Sequence, residues 1–444
     1  MLKYLSFSAT LAMSVAAMLV GVAPARAQDR PIAYTHARLI PISSAEIEEG
    51  TIVFHKGKIV AIGPNEKVEI PDGAFVQDVQ GRYIMPGLVD THNHIGGIGG
   101  GDGSSPTQPD VRIYDSLNCL DSGFRRARAG GLTTLNIMPG SGHLLSGQTV
   151  YVKLRRSKTI EEMMVRDAEG KPMGGMKMAN GTNSIRDNPP WPGTRGKSAA
   201  LVRKMFIDAQ EYGEKIKRAA GDESKMPPRD IAKDALLEVL SGKRLVHHHT
   251  HRHDDIMTVL RLKEEFGFRC VLHHTSEAWK LPAEIAKAGV GCSIIVLDSP
   301  GGKLEAKNKK LETGGILEKA GVKVAIHTDD WITDSRFFLR CAALAHRAGM
   351  SRAGALKALT INGAEMLDMG DRIGTLEVGK DADFVMMDND PLSVYCKVVE
   401  TWIEGNLVWN RLNEEDRLYA VGGFGAGDDT TPYLCCAPEG GDDE

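Results

Sequence analysis

The sequence predicts an α/β protein: a (β/α)8 TIM-type barrel with a small β-sandwich domain formed from both chain ends. Three observations carry this expectation. Between residues 84 and 348 short apolar strands alternate with helical patterns eight times, the rhythm of a parallel barrel. The flanking stretches 28–83 and 371–412 show only strand patterns and turn signals. A chain of 444 residues is also long enough to bury one large core and a smaller companion.

Residues 1–27 are set aside first. Lys3 gives a short positive region, residues 5–22 are apolar and rich in small side chains, and Ala25-Arg26-Ala27 is an A-x-A cleavage signal. This pattern predicts a secretory signal peptide cut after Ala27 and a periplasmic mature chain, with an uncleaved membrane anchor as the alternative. No later stretch is apolar for long enough to span a bilayer. In the first β part, 33–40 is a strand, 51–54 and 58–61 form a hairpin turning at Lys56-Gly57, and 75–79 is a further strand.

The barrel region, 84–370, opens with strand 84–92. The Gly-rich loop 96–103 follows a strand but leads into Ser-Ser-Pro rather than a helix, so it is not a phosphate loop; it reads as a mobile loop over the site. A helix over 113–129 precedes strand 132–137. Strand 149–154 is followed by a helix at 160–165, then strand 176–179. Leu201, Met205, Ala209, Tyr212 and Ile216 recur at helical spacing. Strand 245–249 leads to Asp254-Asp255, which cap a helix carrying Ile256, Val259, Leu260 and Phe266 on one side. Strand 269–274, helix 283–288, strand 290–297, helix 311–320, strand 322–326 and helix 337–348 complete the alternation. The β pattern returns at 382–387, 398–403 and 407–409, turning at Glu404-Gly405-Asn406. Residues 413–444 are acidic, Gly-rich and weakly patterned, the composition of a partly disordered tail.

Composition excludes several classes. With 42% hydrophobic and 25% charged residues the chain is ordinary for a soluble globular protein. A net charge of -4 leaves no basic field for nucleic acid, so the expected partner is a small-molecule substrate, without nucleic acid and without integral membrane association once the leader is removed; an oligomer is compatible with the sequence. The seven cysteines are scattered, odd in number and lack a C-x-x-C, which excludes a disulfide scaffold and zinc-finger spacing. Most are expected to be small core residues, and the neighbours Cys435 and Cys436 could bridge only with strain.

In a barrel, chemistry sits at the C-terminal strand ends. Those ends carry His92 and His94, Lys177, a histidine cluster at 247–253, His273-His274 and Asp329-Asp330. Any one of them has a bland alternative as a hydrogen-bonded structural residue. His-x-His ending a strand places two imidazoles on one face, and imidazole with carboxylate is the usual ligand set for zinc and related divalent metals.

These residues sit in recognisable motifs. Met85-Pro86-Gly87-Leu88-Val89-Asp90-Thr91-His92-Asn93-His94, Gly130-Gly131-Leu132-Thr133-Thr134, Thr328-Asp329 and Gly374-Thr375-Leu376-Glu377-Val378-Gly379-Lys380-Asp381-Ala382-Asp383 resemble the amidohydrolase superfamily of metal-dependent hydrolases. The resemblance covers about residues 31 to 412 and is closest to the imidazolonepropionase-like and prolidase-like branch. It implies a site holding one or two divalent metals, zinc by expectation. His92 and His94 match the first-strand pair, and Asp329 the eighth-strand carboxylate, with Asp330 as its alternative. On strand five His249 matches the ligand, with His251 as rival, since 247, 249, 251 and 253 would share one face of an extended strand. On strand six His274 matches better than His273. Lys177 is placed for the carboxylated bridging lysine of many binuclear relatives, with Lys153 as rival. Some relatives have a glutamate shortly after this strand; here the stretch reads Asn180-Gly181-Thr182-Asn183, which leaves one metal or two open.

His143, Arg252 and His251 are further candidates for substrate contacts, and His327 stands where relatives often have a small residue. The implied reaction is metal-assisted hydrolysis of a small amide, a dipeptide or cyclic amide being the first candidates. The metal lowers the pKa of water towards about 7, and Asp329 takes the water proton and returns it to the leaving amine as general base, then acid. The alternatives are a metal-dependent deaminase or lactonase on the same scaffold, kept open by Glu277 beyond His274, and a catalytically dead exported metal- or ligand-binding protein.

Overall fold

A computed structural model describes residues 29–96, 101–297, 303–330 and 332–421. The leader at 1–27, residues 97–100 of the Gly-rich loop, and Cys435 and Cys436 lie outside the described residues. Among the described residues seventeen strands run in chain order: β1 (Ile32–Leu39), β2 (Ile47–His55), β3 (Lys58–Pro64), β4 (Phe75–Asp78), β5 (Tyr83–Pro86), β6 (Leu88–Asn93), β7 (Leu132–Ile137), β8 (Leu145–Gln148), β9 (Val150–Lys153), β10 (Met176–Ala179), β11 (Val246–Thr250), β12 (Cys270–His274), β13 (Gly291–Ile295), β14 (Val324–His327), β15 (Phe384–Met387), β16 (Val398–Ile403) and β17 (Asn406–Asn410).

Strands from the early and late parts of the chain meet through β15 pairing antiparallel with β5. They share one mixed sheet, ordered β17-β16-β15-β5-β1-β2-β3 with β4 beside β1. The β2–β3 hairpin turns at Lys56 and Gly57, both with positive φ, as a two-residue turn matched to strand twist requires. Phe54 on β2 and Trp402 on β16 stand 5.3 Å apart by ring centroids, although three strands lie between theirs in the sheet. At about 4.8 Å per strand a flat sheet would separate them by nearly 20 Å, so the sheet curls over a core of Tyr34, Phe54, Phe384 and Trp402.

The middle of the chain is α/β. A six-stranded sheet has the order β14-β13-β12-β11-β10-β8, and a three-stranded sheet the order β6-β7-β9. Strands β10 to β14 are parallel and in sequence, joined by helices such as Arg195–Ala219 and His253–Phe266. β14 and β6 meet without a ladder; Asp329 N donates to His92 O at 3.0 Å, and the buried Asp90 carboxylate accepts from Thr328 Oγ1 at 2.5 Å and Asn93 Nδ2 at 2.9 Å. Five of the cysteines are described; four are buried and none is bridged.

Several sequence expectations change. Strand 84–92 is two strands divided at Gly87, because β5 pairs with the end sheet and β6 with β7. A Cβ on Gly87 would meet the Thr133 side chain at 2.3 Å, so only glycine allows the chain to cross between sheets there. The stretch expected as one parallel strand at 149–154 runs antiparallel to β7 as β9, and β8 runs antiparallel to β10. Apolar patterning fixes burial but not direction. Helix 113–129 shrinks to Ser122–Ala129, capped by Asp121, after a single 3-10 turn at Ile113–Asp115. Residues 414–421, expected in a loose tail, form a helix whose Asp416 carbonyl accepts from Trp409 Nε1 at 2.8 Å. No helix among the described residues is long and apolar enough to cross a membrane.

Candidate metal centre

Strand alternation brings His92 and His94 to one face, with β14 delivering Asp329 opposite them. His92 Nε2 stands 3.1 Å from His94 Nε2, 3.0 Å from Lys177 Nζ and 3.4 Å from Asp329 Oδ1; His94 Nε2 is 3.0 Å from the same oxygen. His94 Nδ1 lies 2.7 Å from the Met138 carbonyl, which accepts only if that nitrogen carries the proton, so the Nε2 lone pair faces the cluster.

A second trio stands beside the first. One ring nitrogen each from His249, His251 and His274 lie within 4.8 Å of one another, as do nitrogens of His92, His274 and His327, and the ligand atoms of His92, His94 and Asp329. Both nitrogens of His249, Nε2 of His251 and Nε2 of His274 are buried without a hydrogen-bond partner. Buried imidazole nitrogens left unpaired are costly, and convergent ones with a carboxylate nearby are the donor set of a divalent metal. The residues therefore fit a metal. His249 and His251 both belong to the trio; His251 differs in having its Nδ1 held by Ser276 Oγ at 2.8 Å.

The backbone is strained where it presents these groups. His274, Thr275 and Asp329 all have φ between 47° and 65°, a region that costs a non-glycine residue about 1–3 kcal/mol and clusters at functional sites. Burial by itself would raise the Asp329 carboxyl, but the His94 hydrogen bond, with His327 and Lys177 nearby, holds it well below the usual carboxylate range. Burial pushes the Lys177 ammonium down to about 7, against the pull of Asp329, so its amine is accessible in neutral form near neutrality.

Behind His92 runs a row of buried groups. His92 Nδ1 is 3.3 Å from His273 Nδ1, His273 Nε2 is 2.9 Å from His247 Nδ1, and His247 Nε2 is 2.9 Å from Tyr151 Oη. If His92 turns its Nε2 lone pair to the cluster, each ring in turn donates to the next and Tyr151 accepts last. Alternation on β11 and β12 could have pointed to His247 and His273 as a supporting layer. His327 joins the cluster itself, with Nε2 at 3.2 Å from His274 Nδ1 and Nδ1 at 2.8 Å from Ser293 Oγ.

Other candidates lie elsewhere. Lys153, the rival bridge, is buried among carboxylates, 2.6 Å from Asp381 Oδ2, 3.0 Å from Asp383 Oδ2 and 3.1 Å from Glu404 Oε1. Asp330 turns away from the histidines to accept from Ser335 N and Oγ at 2.9 and 2.6 Å. Arg252 is half-exposed and folds back on Asp254 in a two-point ion pair, because both belong to the start of one helix; the structure does not bring it to the cluster. His143 is buried against Trp191, ring centroids 5.2 Å apart, in the loop after β7. Glu277 accepts from His253 N and Nδ1, Asn308 Nδ2 and Lys280 Nζ, and these partners hold it ionised.

Histidines and a carboxylate converging at strand ends are a donor set that could hold a divalent metal. The model of the amidohydrolase family matches residues 245–408. The crystal structure of an amidohydrolase from Thermotoga maritima MSB8 is 35% identical, covering 86% of this chain and 100% of that one, with a TM-score of 0.79. The chain belongs to the amidohydrolase family, metal-dependent hydrolases acting on carbon–nitrogen bonds, and its domain is of the TIM-barrel type with mixed α/β content. Among curated relatives, Amidohydrolase tasK of Hapsidospora irregularis is 27% identical over 387 residues, 80% of this chain but only 39% of the relative's length. An imidazolonepropionase of Bacteroides fragilis is 24% identical, covering 82% of this chain and 92% of the relative.

Proposed function

We propose that this protein hydrolyses a small amide, a dipeptide or a cyclic amide, at a zinc centre held by His92, His94, His249, His274 and Asp329, with Lys177 as a carboxylated bridge. The observation that carries the reading is the convergence of His92, His94 and Asp329 in one trio and of His249 and His274 in a second, with three ring nitrogens of that second pair buried and otherwise unpartnered. A divalent metal there supplies Lewis acidity to a carbonyl and acidity to water. Asp329, kept ionised beside His94, is the base that takes a proton at its carboxylate and returns it to the departing amine. Lys177, buried and inclined to the neutral amine, has the nucleophilic form that carboxylation needs. His251 and His143 stand as substrate contacts. The eight-stranded closed barrel and the small end sandwich belong to the same reading.

A deaminase or lactonase reading draws less from the site: the four donors around Glu277 occupy the acid it would use. Metal analysis of the purified protein, followed by hydrolysis assays on dipeptides, cyclic amides, lactones and aminated heterocycles, decides between them. Full amide hydrolysis by Asp329→Asn, or after metal removal, refutes the mechanism. Export is part of the reading, with residues 1–27 as the leader; N-terminal sequencing of the mature chain from a periplasmic extract should begin at Gln28.

A further inference from the structure

The end of the molecule remote from the histidines carries a buried charge without a counter-ion of its own. Arg128 lies in the last turn of the helix Ser122–Ala129, just before β7 begins, and the residue is 8% exposed. Arginine is seldom buried without a partner. Yet among the described residues Arg128 makes no side-chain hydrogen bond and no ion pair, and its Nε is buried and unsatisfied. It lines a cavity of about 460 Å³ whose other charged groups are Arg125, Arg156 and Lys158 with Asp121, Glu162, Glu415 and Asp416.

Four carboxylates, Asp121, Glu162, Glu415 and Asp416, balance the four cations of this wall in number, but none of them pairs with Arg128. Arg125 pairs with Glu415 at 3.0 Å and Arg156 with Asp416 at 2.5 Å, so these two carboxylates of the helix Glu414–Val421 are each engaged by another arginine. Asp121 accepts from Gly123 N as the helix cap, and Glu162 accepts from Ser157 Oγ.

We propose that this cavity is a binding site for a small oxyanion, a sulfate, phosphate or carboxylate group received by the Arg128 guanidinium, with Lys158 at the rim. A guanidinium presents a planar fork of donors matched to such groups, and the cavity is of a size that holds a small ligand. The site is separate from the metal centre. Lys153, at the end of β9, pairs with Thr134 near the start of β7, whereas His94 meets the carbonyl of Met138 beyond its end. An anion there would join the first barrel helix, the 155–162 segment and the last helix.

The test is calorimetric titration of sodium sulfate into the metal-loaded full chain at constant ionic strength, repeated with Arg128→Met and Lys158→Met. The expected result is saturable binding at one site, weakened about tenfold or more by Arg128→Met, since removing one charge-assisted hydrogen bond corresponds to about that factor. Lys158→Met, at an exposed position, should weaken it several-fold, and it decides the matter if Arg128→Met does not fold. Amide hydrolysis, where present, stays unchanged in both. Absence of saturable binding by the wild-type chain, or equal binding by wild type and the folded variants, overturns the proposal.

Discussion

Lys153→Met separates the two buried lysines that the sequence offered as bridges. Lys153 is fully buried and faces three carboxylates within 3.1 Å. Asp381 retains Lys58 at 2.6 Å and Arg372 at 3.3 Å, and Glu404 retains Arg155 at 2.8 Å. Asp383 pairs with no other cation among the described residues; its Oδ2 has only the Lys153 ammonium beside it, and its Oδ1 accepts from Glu404 N. Removing Lys153 therefore leaves one buried carboxylate uncompensated, a loss of about 3–5 kcal/mol. An unfolding entropy of about 2.1 cal/mol/K per residue over about 390 residues gives roughly 0.8 kcal/mol/K, so the melting temperature should fall by about 4–6 °C. Differential scanning calorimetry measures it, and the double variant Lys153→Met/Asp383→Asn should recover most of the loss. Metal content should not change. A fall of less than about 1 °C, no recovery in the double variant, or metal lost with Lys153, would show that the lysine is not the hub joining β9 to the end sheet.

Four further outcomes follow from the same geometry. Asp329→Asn should lower kcat by about 10²–10⁴-fold while the fold persists, as seen by circular dichroism. Lys177→Ala should lower the metal bound per chain, read by elemental analysis after gel filtration; unchanged stoichiometry would remove Lys177 from the centre. His273→Leu should weaken metal binding about 10–100-fold in chelator competition, because it cuts the hydrogen-bonded row behind His92; unaltered affinity would reduce the row to packing. Asp381 and Glu404 are each lowered to about 2, burial being outweighed by their cations. Their depressed folded values mean that the stability they contribute is complete above their ordinary values, about 3.8 and 4.5, and is lost as pH falls towards 2. The stability gap between wild type and Lys153→Met should therefore narrow between pH 5 and pH 3 in urea titrations; a constant gap contradicts it.

The sequence by itself determined the residue types and their order. Period-2 alternation put His92 and His94 on one face, strand-ending positions grouped with them the histidines at 247–253, His273-His274 and Asp329-Asp330, and the family resemblance singled out His249, His274 and Asp329. It also ordered the parallel strands β10 to β14, because each is a short apolar run followed by a helical pattern. What it left open were choices between neighbours and rivals. Asp329 and Asp330 are adjacent, and only the left-handed backbone at Asp329 decides which carboxylate faces the histidines. Lys153 and Lys177 both sit in short apolar strands, and only the antiparallel run of β9 carries Lys153 away to Asp381 and Asp383. Direction, turn handedness and partners more than two hundred residues distant are set by packing, which local patterning does not encode. The same reason hid the Arg128 cavity: its walls come from three separated segments, and an unpaired charge is visible only once every neighbour is in place.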